Sequence, residues 1–508
     1  MPTPEPFPIR SQPGIKRDGT VFEGDNYIDG LWNRFTPRGL PKKIGGYRAV
    51  TSHLPEVVRG MDSFTQDLAN YVHLGSASFL TQVVVNSDGS LGSSNDRTPA
   101  GFTSNPNNLW QIGAMRNAVT SNTSVIAHAG QNLADIADST NSPIYYGSVT
   151  DNTQLLTSAT DPVSGGFMVL APYLITFGNG GFVEVSPIND PTTPGVSGYV
   201  TAQKIVVGLP IRNTGGPGGL LWSLDSLIGM TFDGSILTGL PFDFNTISDE
   251  VSILSTQGVI EYDGIYYWAA VDRFSLYNGV VRELPNSLNI DFFFDNVNFA
   301  QRQKAFAMKV PRWGEIWWCA PLFGATECNW AIIYNTRLQT WYDTPLPDGG
   351  RSAGLYAKVY QRPFMCDVEV NPLTGGYTLW QHETGLDKVL GTQTLPITAY
   401  YQTHEISPIS APQPKDAEFR VGIVEPDFVQ RGDLTLTISS RDNARDTPIF
   451  SPPIIIPAVP TGPKDEVAMM KVNGRLLSFR FESNTPGGDY YAGNVLGHIE
   501  TTGGRYSS

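Results

Sequence analysis

Asparagine–glycine and aspartate–glycine pairs recur between short apolar segments in the middle of this chain. In a two-residue hairpin turn both central residues need positive φ, and such pairs adopt it at little cost. The segments around them are rich in β-branched and aromatic residues, as strands are. The pattern predicts meanders of short antiparallel strands. The pairs are Asn179-Gly180, Asp233-Gly234, Asp263-Gly264 and Asn278-Gly279.

The composition points to the same fold class. The chain has 52 glycines and 38 prolines among 508 residues, which is rich in turn formers for a globular protein. Helical periodicity is rare, and residues 287–308 contain the best helical candidate, a short one. The sequence therefore predicts an all-β protein, long enough for several domains of roughly 100 to 200 residues each.

Residues 51–390 carry the meander pattern throughout. The stretch NWAIIYNTRLQTWYDTPLP, residues 329–347, is a further unit of strand, turn and tryptophan-containing strand. Repeated four-stranded meanders are typical of a β-propeller, although two β-sandwich domains would show the same hairpin spacing. The length of the region and the lack of a Cys-Trp-Cys spacing favour the propeller. The repeats diverge too much to give the number of blades.

The pattern changes near residue 391. Residues 394–408, 432–446 and 474–484 alternate apolar and polar positions, as half-exposed strands do. Residues 391–508 are therefore predicted to form an additional C-terminal domain that is β-sandwich-like.

A proline-rich arm, residues 447–465, interrupts this C-terminal domain. Its six prolines in 19 residues prevent pairing as a central strand and favour an extended arm or loop. Its three consecutive isoleucines are a liability in water, so we expect them on a neighbouring surface or, equally, against the arm's own domain. These candidate interface residues are Ile454, Ile455 and Ile456.

Charge and reactive residues argue against several classes of function. A net charge of −14 does not suit a protein that coats nucleic acid, since phosphate binding needs clustered lysine and arginine. Cys319, Cys328 and Cys366 lack zinc or disulfide spacing, and we expect buried free thiols. The six histidines lie far apart, and no phosphate-binding, hydrolase or calcium-binding motif occurs. We predict no catalytic residue, no metal and no cofactor.

Three carboxylates, Glu261, Asp263 and Asp272, are close enough in sequence to be tested against a glycosidase arrangement. Asp263 belongs to a hairpin turn, and we expect the other two on neighbouring strands as ordinary polar positions. The protein is predicted not to be an enzyme.

The first residues show no signal-peptide pattern, and the most apolar stretch, residues 167–177, is far shorter than a membrane-spanning helix. We therefore expect a protein that is made and folded in a cytoplasm.

Residues 1–50 are predicted to form an extended segment that packs on the β domains. The stretch YIDGLWNRFTPRGLPKKIGGY, residues 27–47, mixes aromatic, basic and glycine residues with neither helical nor strand periodicity. Glycine and proline favour an extended path, along which aromatic rings anchor in β layers and basic side chains meet acidic surfaces. The expected anchors are Trp32, Phe35 and Tyr47, and the expected basic contacts are Arg34, Arg38, Lys42 and Lys43.

Both ends of the chain resemble one protein family. Residues 11–47 contain PGIKRDGT, then NRF, then GLPKKIGGY, and residues 474–507 read GRLLSFRFESNTPGGDYYAGNVLGHIETTGGRYS. These segments resemble the opening and closing motifs of the packaged-DNA stabilisation proteins, the tail hub or nozzle proteins of short-tailed bacteriophages. DRFSLYNG, residues 272–279, and NTRLQTWY, residues 335–342, look like blades of that family's propeller.

The resemblance implies a structural virion protein. Such proteins form a ring, usually of six copies, below the portal and the head-to-tail adaptor at the end of a short tail. The ring prolongs the DNA channel, retains the packaged genome and opens when the phage docks on a host. The implied partners are other copies of the chain, the adaptor, tail fibres or tailspikes, the host surface, and packaged DNA that passes without sequence-specific binding.

The charge distribution is compatible with a conduit. Residues 1–60 carry a net charge of +3 and the rest of the chain −17. An acidic channel would repel the DNA backbone, although an acidic surface equally serves solubility. The alternative function is a receptor- or glycan-binding propeller at the tail tip, which an exposed aromatic platform that binds sugar would favour.

Overall fold

The structure is a computed structural model that describes residues 5–66, 68–149, 156–157, 162–211, 216–234, 239–407, 418–462 and 467–502. Strands account for 54 % of the residues and helices for 3 %, and the sheets are mostly antiparallel. The predicted all-β class is confirmed. Helix α1 spans Ile290–Phe294, and 3-10 turns span Asn179–Gly181 and Phe299–Lys304.

Seven strands precede the meanders. They are β1 (Glu5–Ile9), β2 (Gln12–Ile15), β3 (Asn26–Tyr27), β4 (Asp29–Leu31), β5 (Asn33–Phe35), β6 (Pro41–Lys43) and β7 (Tyr47–Leu54). The predicted boundary at residue 50 therefore falls inside β7. Strands β2 and β3 pair in parallel with each other and β5 pairs with β6. Strands β1, β4, β6 and β7 pair with strands far along the chain.

The next 27 strands of the described chain, β8 to β34, build seven antiparallel meanders, which we call the first to seventh sheets. The first and second sheets are β8–β11 (Met61–Gln66, Ala69–Gly75, Leu80–Val85, Leu91–Asp96) and β12–β15 (Asn108–Asn117, Asn122–Asn132, Ile144–Ser148, Leu156–Thr157). The third and fourth are β16–β19 (Gly166–Leu170, Tyr173–Phe177, Phe182–Val185, Val196–Tyr199) and β20–β23 (Ile205–Ile211, Gly218–Ser223, Leu227–Phe232, Phe242–Ser248). The fifth and sixth are β24–β27 (Val259–Tyr262, Ile265–Ala269, Phe274–Tyr277, Val281–Glu283) and β28–β31 (Phe306–Val310, Glu315–Ala320, Trp330–Asn335, Thr340–Pro345). The seventh begins with β32–β34 (Arg351–Ala357, Arg362–Asp367, Tyr377–His382).

The fourth strand of the seventh sheet comes from the start of the chain. Strand β7 pairs antiparallel with β34, with His382 opposite Tyr47. On its other side β7 pairs in parallel with β35 (Lys388–Leu390), which pairs with β36 (Gln393–Leu395). The predicted domain boundary at residue 390 therefore lies between two strands of one sheet.

Successive sheets contact each other through their first strands. Strand β12 lies beside β8 and β16, β16 beside β20, β28 beside β24 and β32, and β32 beside β8. The fourth and fifth sheets meet through Trp222 and Trp268, whose ring centroids are 5.8 Å apart. Every sheet thus touches the next, and the seventh touches the first.

Hairpin connections form at three of the predicted positions, and of these three only the one at Asp263-Gly264 has the expected two residues. The connection at Asp233-Gly234 continues into residues 235–238, which lie outside the described residues. Asp263 and Gly264, with φ of 52° and 80°, join β24 to β25 as a two-residue turn. Gly180 has φ of 59° between β17 and β18, and Gly279 has φ of 106° between β26 and β27. Asn-Gly and Asp-Gly pairs are suited to these turns because they tolerate positive φ.

Ten further strands follow the meanders. They are β37 (Ala399–Gln402), β38 (Glu418–Glu425), β39 (Phe428–Arg431), β40 (Leu434–Arg441), β41 (Ile449–Phe450), β42 (Ile454–Ile456), β43 (Ala468–Gly474), β44 (Leu476–Ser483), β45 (Asp489–Ala492) and β46 (Val495–Thr502). They form three sheets with N-terminal strands, in the orders β1-β46-β38-β43, β4-β37-β44-β40-β41 and β39-β45-β6-β5. We call these the C-terminal sheets.

One hydrophobic cluster joins the two chain ends to the meanders. It contains buried residues of the N-terminal strands, of the sixth and seventh sheets and of the C-terminal sheets. Phe35, Trp317, Trp380, Leu436 and Phe479 are members, each with at most 2 % of its surface exposed. The shared core fixes the C-terminal sheets against one side of the meander array.

Candidate functional site

Four aromatic residues of the N-terminal segment (residues 5–47), Tyr27, Trp32, Phe35 and Tyr47, are buried in this shared core, whereas Phe22 is exposed. The Trp32 ring packs edge-on against Trp317 of β29, with 6.1 Å between centroids, and its indole N–H donates to the Gly45 carbonyl at 3.1 Å. The Phe35 ring lies 5.3 Å from that of Tyr342 in β31. These side chains therefore anchor in β layers, and the layers belong to the same chain.

Arg34 is the centre of a buried ionic cluster. Its guanidinium donates to both carboxylate oxygens of Glu383, at 2.9 and 2.6 Å, and to Glu315 at 3.0 Å. Glu315 is fully buried and also accepts hydrogen bonds from the Tyr342 hydroxyl at 2.7 Å and the Trp317 indole at 2.9 Å. One arginine therefore joins the N-terminal segment to the sixth sheet and to the end of the seventh.

Electrostatics make this cluster dependent on Arg34. Burial alone would lower the pKa of Arg34, but the charges of Glu315 and Glu383 outweigh it and raise the pKa above its ordinary value. Burial raises the pKa of Glu315, and the charge of Arg34 opposes that shift. Without the guanidinium the fully buried Glu315 carboxylate would lack its cation and would face Glu383, whose side chain is 12 % exposed. An uncompensated buried charge is strongly unfavourable.

A second ionic cluster surrounds Tyr47. Its hydroxyl donates to Asp348 at 3.0 Å, and Lys388 donates to the same carboxylate at 2.6 Å. The Arg351 guanidinium lies 5.2 Å from the centre of the Tyr47 ring and donates to Asp367 at 2.9 Å. Burial raises the pKa of Asp367 to about 6, even though the Arg351 charge lowers it.

The PGIKRDGT motif makes a third set of links. Arg17 forms ion pairs with Asp343 of β31 at 3.0 Å and with Asp29 at 2.8 Å. The Asp18 carboxylate accepts two backbone N–H groups in the first turn of α1, at 2.9 and 2.8 Å. Tyr400 of β37 donates to Asp29 at 2.9 Å, so the motif connects the meanders to the C-terminal sheets.

The remaining basic residues of the segment differ in exposure. Lys43 is buried, donates to the Gly488 carbonyl at 2.8 Å, and has its pKa lowered to about 8 by burial. Lys42 pairs with Asp489 at 3.3 Å, while Arg38 is exposed. The acidic groups that Arg34 and Lys42 contact thus belong to this chain, and Arg38 is the one of the four predicted basic contacts left at the surface.

The proline-rich arm adds edge strands to its own sheet. Strand β42 pairs with β40, with Ile456 opposite Leu434, and Gln430 donates to the Ile456 carbonyl at 3.1 Å. Ile456 is 4 % exposed, Ile454 is half-buried and Ile455 is 66 % exposed. The arm therefore lies against its own domain through two of its isoleucines and presents the third to the surface; residues 463–465 lie outside the described residues. Other exposed apolar residues of the arm are Ile449, Phe450 and Val459.

A group of contacts that sequence reasoning missed lies where the first strands of the sheets begin. Arg59, just before β8, donates twice to Glu327, at 2.7 and 2.6 Å, and Lys304 donates to the same carboxylate at 2.7 Å. The Gln257 side-chain amide donates to the carbonyls of Arg59 and Trp110, at 3.1 Å each. Because Arg59 and Glu327 are 268 residues apart, no local pattern could have paired them.

The carboxylates tested for glycosidase chemistry have structural contacts. Glu261 lies on β24 as expected and accepts hydrogen bonds from Lys309 at 3.2 Å and from the Gly264 N–H at 2.9 Å. Asp272 lies in the connection between β25 and β26 and not on a strand as expected, and it pairs with Arg273 at 2.8 Å. All three cysteines are free and buried. Within the part of the chain that the structure describes, no group of three or more His, Cys, Asp or Glu side chains could hold a metal ion.

Comparison with known proteins gives no assignment. No protein-family model matches the chain, and no curated protein matches it. Among the described residues, no helix is both long and apolar enough to cross a bilayer. The geometry above and the resemblance of the chain ends are the grounds for a functional proposal.

Proposed function

We propose that the seven meander sheets are the blades of one β-propeller. Their first strands lie side by side, and β32 of the seventh sheet lies beside β8 of the first. Strand β7, from the start of the chain, completes the seventh sheet. In such a ring, strands from two distant parts of the chain pair in the last blade and close the ring. Only short strand edges then stay unpaired.

The contacts of Gln257 support this ring. In a seven-membered ring the fifth blade stands opposite the first and second. Gln257 precedes β24 of the fifth sheet, and its amide reaches carbonyls at the start of the first and second. A side chain that spans the centre in this way would also obstruct the passage along the propeller axis.

The C-terminal sheets are proposed to form the sandwich-like domain that accompanies the propeller. They share one buried cluster, to which β37, β40 and β44 contribute alternate residues. Strands β1, β4, β5 and β6 supply part of these sheets, so both chain ends build the same domain.

The function we propose is that of a structural virion protein at the end of a short phage tail. Copies of the chain, six by analogy with the family, form a ring below the portal and the head-to-tail adaptor. The observation that carries the proposal is that the two segments resembling the family's terminal motifs meet in space, with β6 pairing with β45 and Lys43 donating to the Gly488 carbonyl. Two distant motifs that form one structural unit are stronger support than either alone.

The structure changes the role proposed for the N-terminal segment. Arg34, Lys43 and the aromatic anchors Trp32, Phe35 and Tyr47 lie inside the subunit. The segment therefore holds the propeller against the C-terminal sheets. Contacts with neighbouring copies are then assigned to the surface, where Arg38 and Ile455 are exposed. The adaptor, tail fibres or tailspikes and the host surface remain proposed partners.

The proposed DNA path runs between copies and not through a propeller. Gln257 obstructs the axis, and a seven-bladed centre filled by side chains would not admit a duplex. A ring of chains, each with a net charge of −14, would repel the phosphate backbone and avoid tight contacts during ejection. No enzymatic step, metal or cofactor forms part of this proposal.

Electron microscopy tests the ring. The purified full chain is imaged alone and after mixing with a portal–adaptor complex from a short-tailed phage that encodes it. We expect closed rings that dock coaxially below the adaptor, with each subunit showing one propeller and one C-terminal domain. A stable monomer that ignores the portal–adaptor complex but binds host cells would overturn the proposal and favour the receptor-binding alternative.

A further inference from the structure

Two open clefts lie side by side on the face of the meander array where the first strands begin. One cleft, of about 450 Å³, lies between the loop that precedes β12 and the start of β14. The other, of about 400 Å³, lies between the start of the third sheet and the turn from β17 to β18. They are separated by the antiparallel bridge between Ser142 and Val163, of which Ser142 lines the first cleft and Val163 the second.

The chemistry of the two clefts is the same. No charged side chain of the described residues lines either one. Amide side chains line both, Asn105 and Asn108 in the first cleft and Asn141 and Asn179 in the second. An amide side chain carries two donors and an accepting oxygen. Asn179 already donates to the Ser139 carbonyl at 2.9 Å and Asn105 accepts from the Asn107 N–H at 2.9 Å, so a ligand would use the remaining donor and acceptor positions.

Each cleft also has a pair of aromatic rings. In the second cleft Tyr199 is 77 % exposed, and its ring packs edge-on against Phe182 with 5.9 Å between centroids. In the first, Phe102 and Tyr145 pack edge-on at 6.1 Å. Tyr199 therefore presents a large apolar surface to solvent while Phe182 supports it from behind.

Other clefts of the molecule are lined differently. The cleft beside the PGIKRDGT motif is lined by Arg17, Glu405 and Arg441, among others. Another, beside β35, is lined by Asp348 and Lys388. Charged linings of this kind are what a protein surface usually offers, so the uncharged pair of clefts stands out as chemically distinct.

We propose that the two uncharged clefts form one groove that binds a neutral oligosaccharide. A charged ligand would find no compensating charge among the described lining residues and would lose hydration. A neutral sugar has hydroxyl groups that pair with amides, and its apolar ring faces stack on aromatic side chains such as Tyr199. Each cleft is within the range of about 300 to 1,000 Å³ usual for ligand sites, so the groove has room for more than one sugar unit.

A peptide fits the groove less well than a sugar. A peptide that pairs along a strand edge still needs pockets for its alternate side chains in order to bind with specificity. Apart from prolines, the aliphatic residues of the described lining are Ala129 and Val163 alone. The groove is independent of ring formation, and it would give a tail-tip protein a contact with a host glycan.

Saturation-transfer NMR and calorimetry on the full chain test this proposal. The probes are maltohexaose, cellohexaose and chitohexaose as neutral oligosaccharides, and hexagalacturonate as an acidic one. We expect at least one neutral probe to bind and hexagalacturonate to bind more weakly. Replacing Tyr199 with Ala should weaken that binding by about tenfold, the order of magnitude of one aromatic contact, while Tyr199→Phe keeps the ring and most of the affinity.

Phe22→Ala is the matched control, since Phe22 is also an exposed aromatic residue, 49 % exposed, and lies outside the groove. It should bind the probe as the unmodified chain does. Because Tyr199 is exposed, its replacement should leave the fold intact, which circular dichroism checks. The proposal fails if no neutral probe binds, if Tyr199→Ala binds as well as Phe22→Ala, or if hexagalacturonate binds more tightly than every neutral probe.

Discussion

The N-terminal segment and the proline-rich arm share a sequence-based expectation, contact with another surface, but differ in where their side chains lie. In the N-terminal segment Trp32, Arg34 and Phe35 are buried within the chain. In the arm, among residues 447–462 that the structure describes, only Ile456 is buried, and Ile455 is exposed beside it. A basic, glycine-rich stretch thus lies inside the molecule, while an isoleucine-rich stretch lies at its surface.

The difference comes from partners that are distant in sequence. Arg34 is tolerated in the core because Glu315 and Glu383, 281 and 349 residues away, neutralise it there. The arm has five described prolines and forms only short strands at the edge of β40, so one of its faces stays uncovered. The composition of the two stretches alone does not predict which of them is buried.

Arg34→Met is the sharpest test of whether the buried N-terminal segment depends on its ion pairs. The variant keeps most of the side-chain volume but leaves Glu315 and Glu383 without their cation. We expect a loss of about 3 to 5 kcal/mol in the free energy of unfolding, as for other buried ion pairs that lose one member. Urea unfolding followed by tryptophan fluorescence measures it, since Trp32 and Trp317 lie beside the cluster.

Arg38→Met is the control for this experiment, because Arg38 belongs to the same segment and is exposed. It should change stability by no more than about 0.5 kcal/mol. Adding Glu315→Gln and Glu383→Gln to Arg34→Met should restore part of the loss, because it removes the uncompensated charges. Equal stability of the two methionine variants would mean that the buried ion pairs of Arg34 do not join the N-terminal segment to the sheets.

Two neighbouring isoleucines of the proline-rich arm test whether one face of the arm is uncovered. Ile456→Ala should cost about 2 to 4 kcal/mol, because it opens a cavity under β42, whereas Ile455→Ala should fall within about 0.5 kcal/mol. Both are measured by urea unfolding of the full chain. Similar losses at the two positions would show that the arm is covered on both faces.

The same pair of positions also bears on assembly. If Ile455 contacts a neighbouring copy in the proposed ring, Ile455→Ser should shift the chain towards monomer in sedimentation velocity without a change in stability. Rings that persist unchanged would remove Ile455 from the proposed interface and leave the fold assignment intact.

Turns and alternation were predictable because their causes are local. Asp263-Gly264 forms its hairpin through its own φ preferences, and the alternating stretch from residue 432 to 446 contains β40 as expected. Other contacts depend on partners between 147 and 349 residues away. They are the closure of the seventh sheet by β7, the ion pairs of Arg34 and the hydrogen bonds of Gln257. No single-sequence pattern encodes such partners, so they appear only in the folded chain.

The smallest expected effect concerns pH and the Tyr47 cluster. Burial raises the pKa of Asp367 to about 6 in the folded chain, whereas an aspartate in an unfolded chain has a pKa of about 3.9. Between these values the folded state binds more protons than the unfolded state, so this group makes stability fall as pH rises from about 4 to about 6. The N-terminal segment is thus coupled to pH through Tyr47, Arg351 and Asp367, in contrast to the apolar arm.

Asp367→Asn isolates that contribution, because the amide cannot ionise but can still accept the Arg351 and Trp380 hydrogen bonds. The difference in unfolding free energy between this variant and the unmodified chain should move by about 1 to 3 kcal/mol in favour of the variant between pH 4 and pH 6. Urea unfolding at four pH values across this range measures it. Asp243→Asn, at an exposed position of β23, is the control and should leave the pH profile nearly unchanged. Parallel profiles for Asp367→Asn and the unmodified chain would mean that Asp367 ionises as freely in the folded state as in the unfolded one, and that the Tyr47 cluster is no more sensitive to pH than the arm.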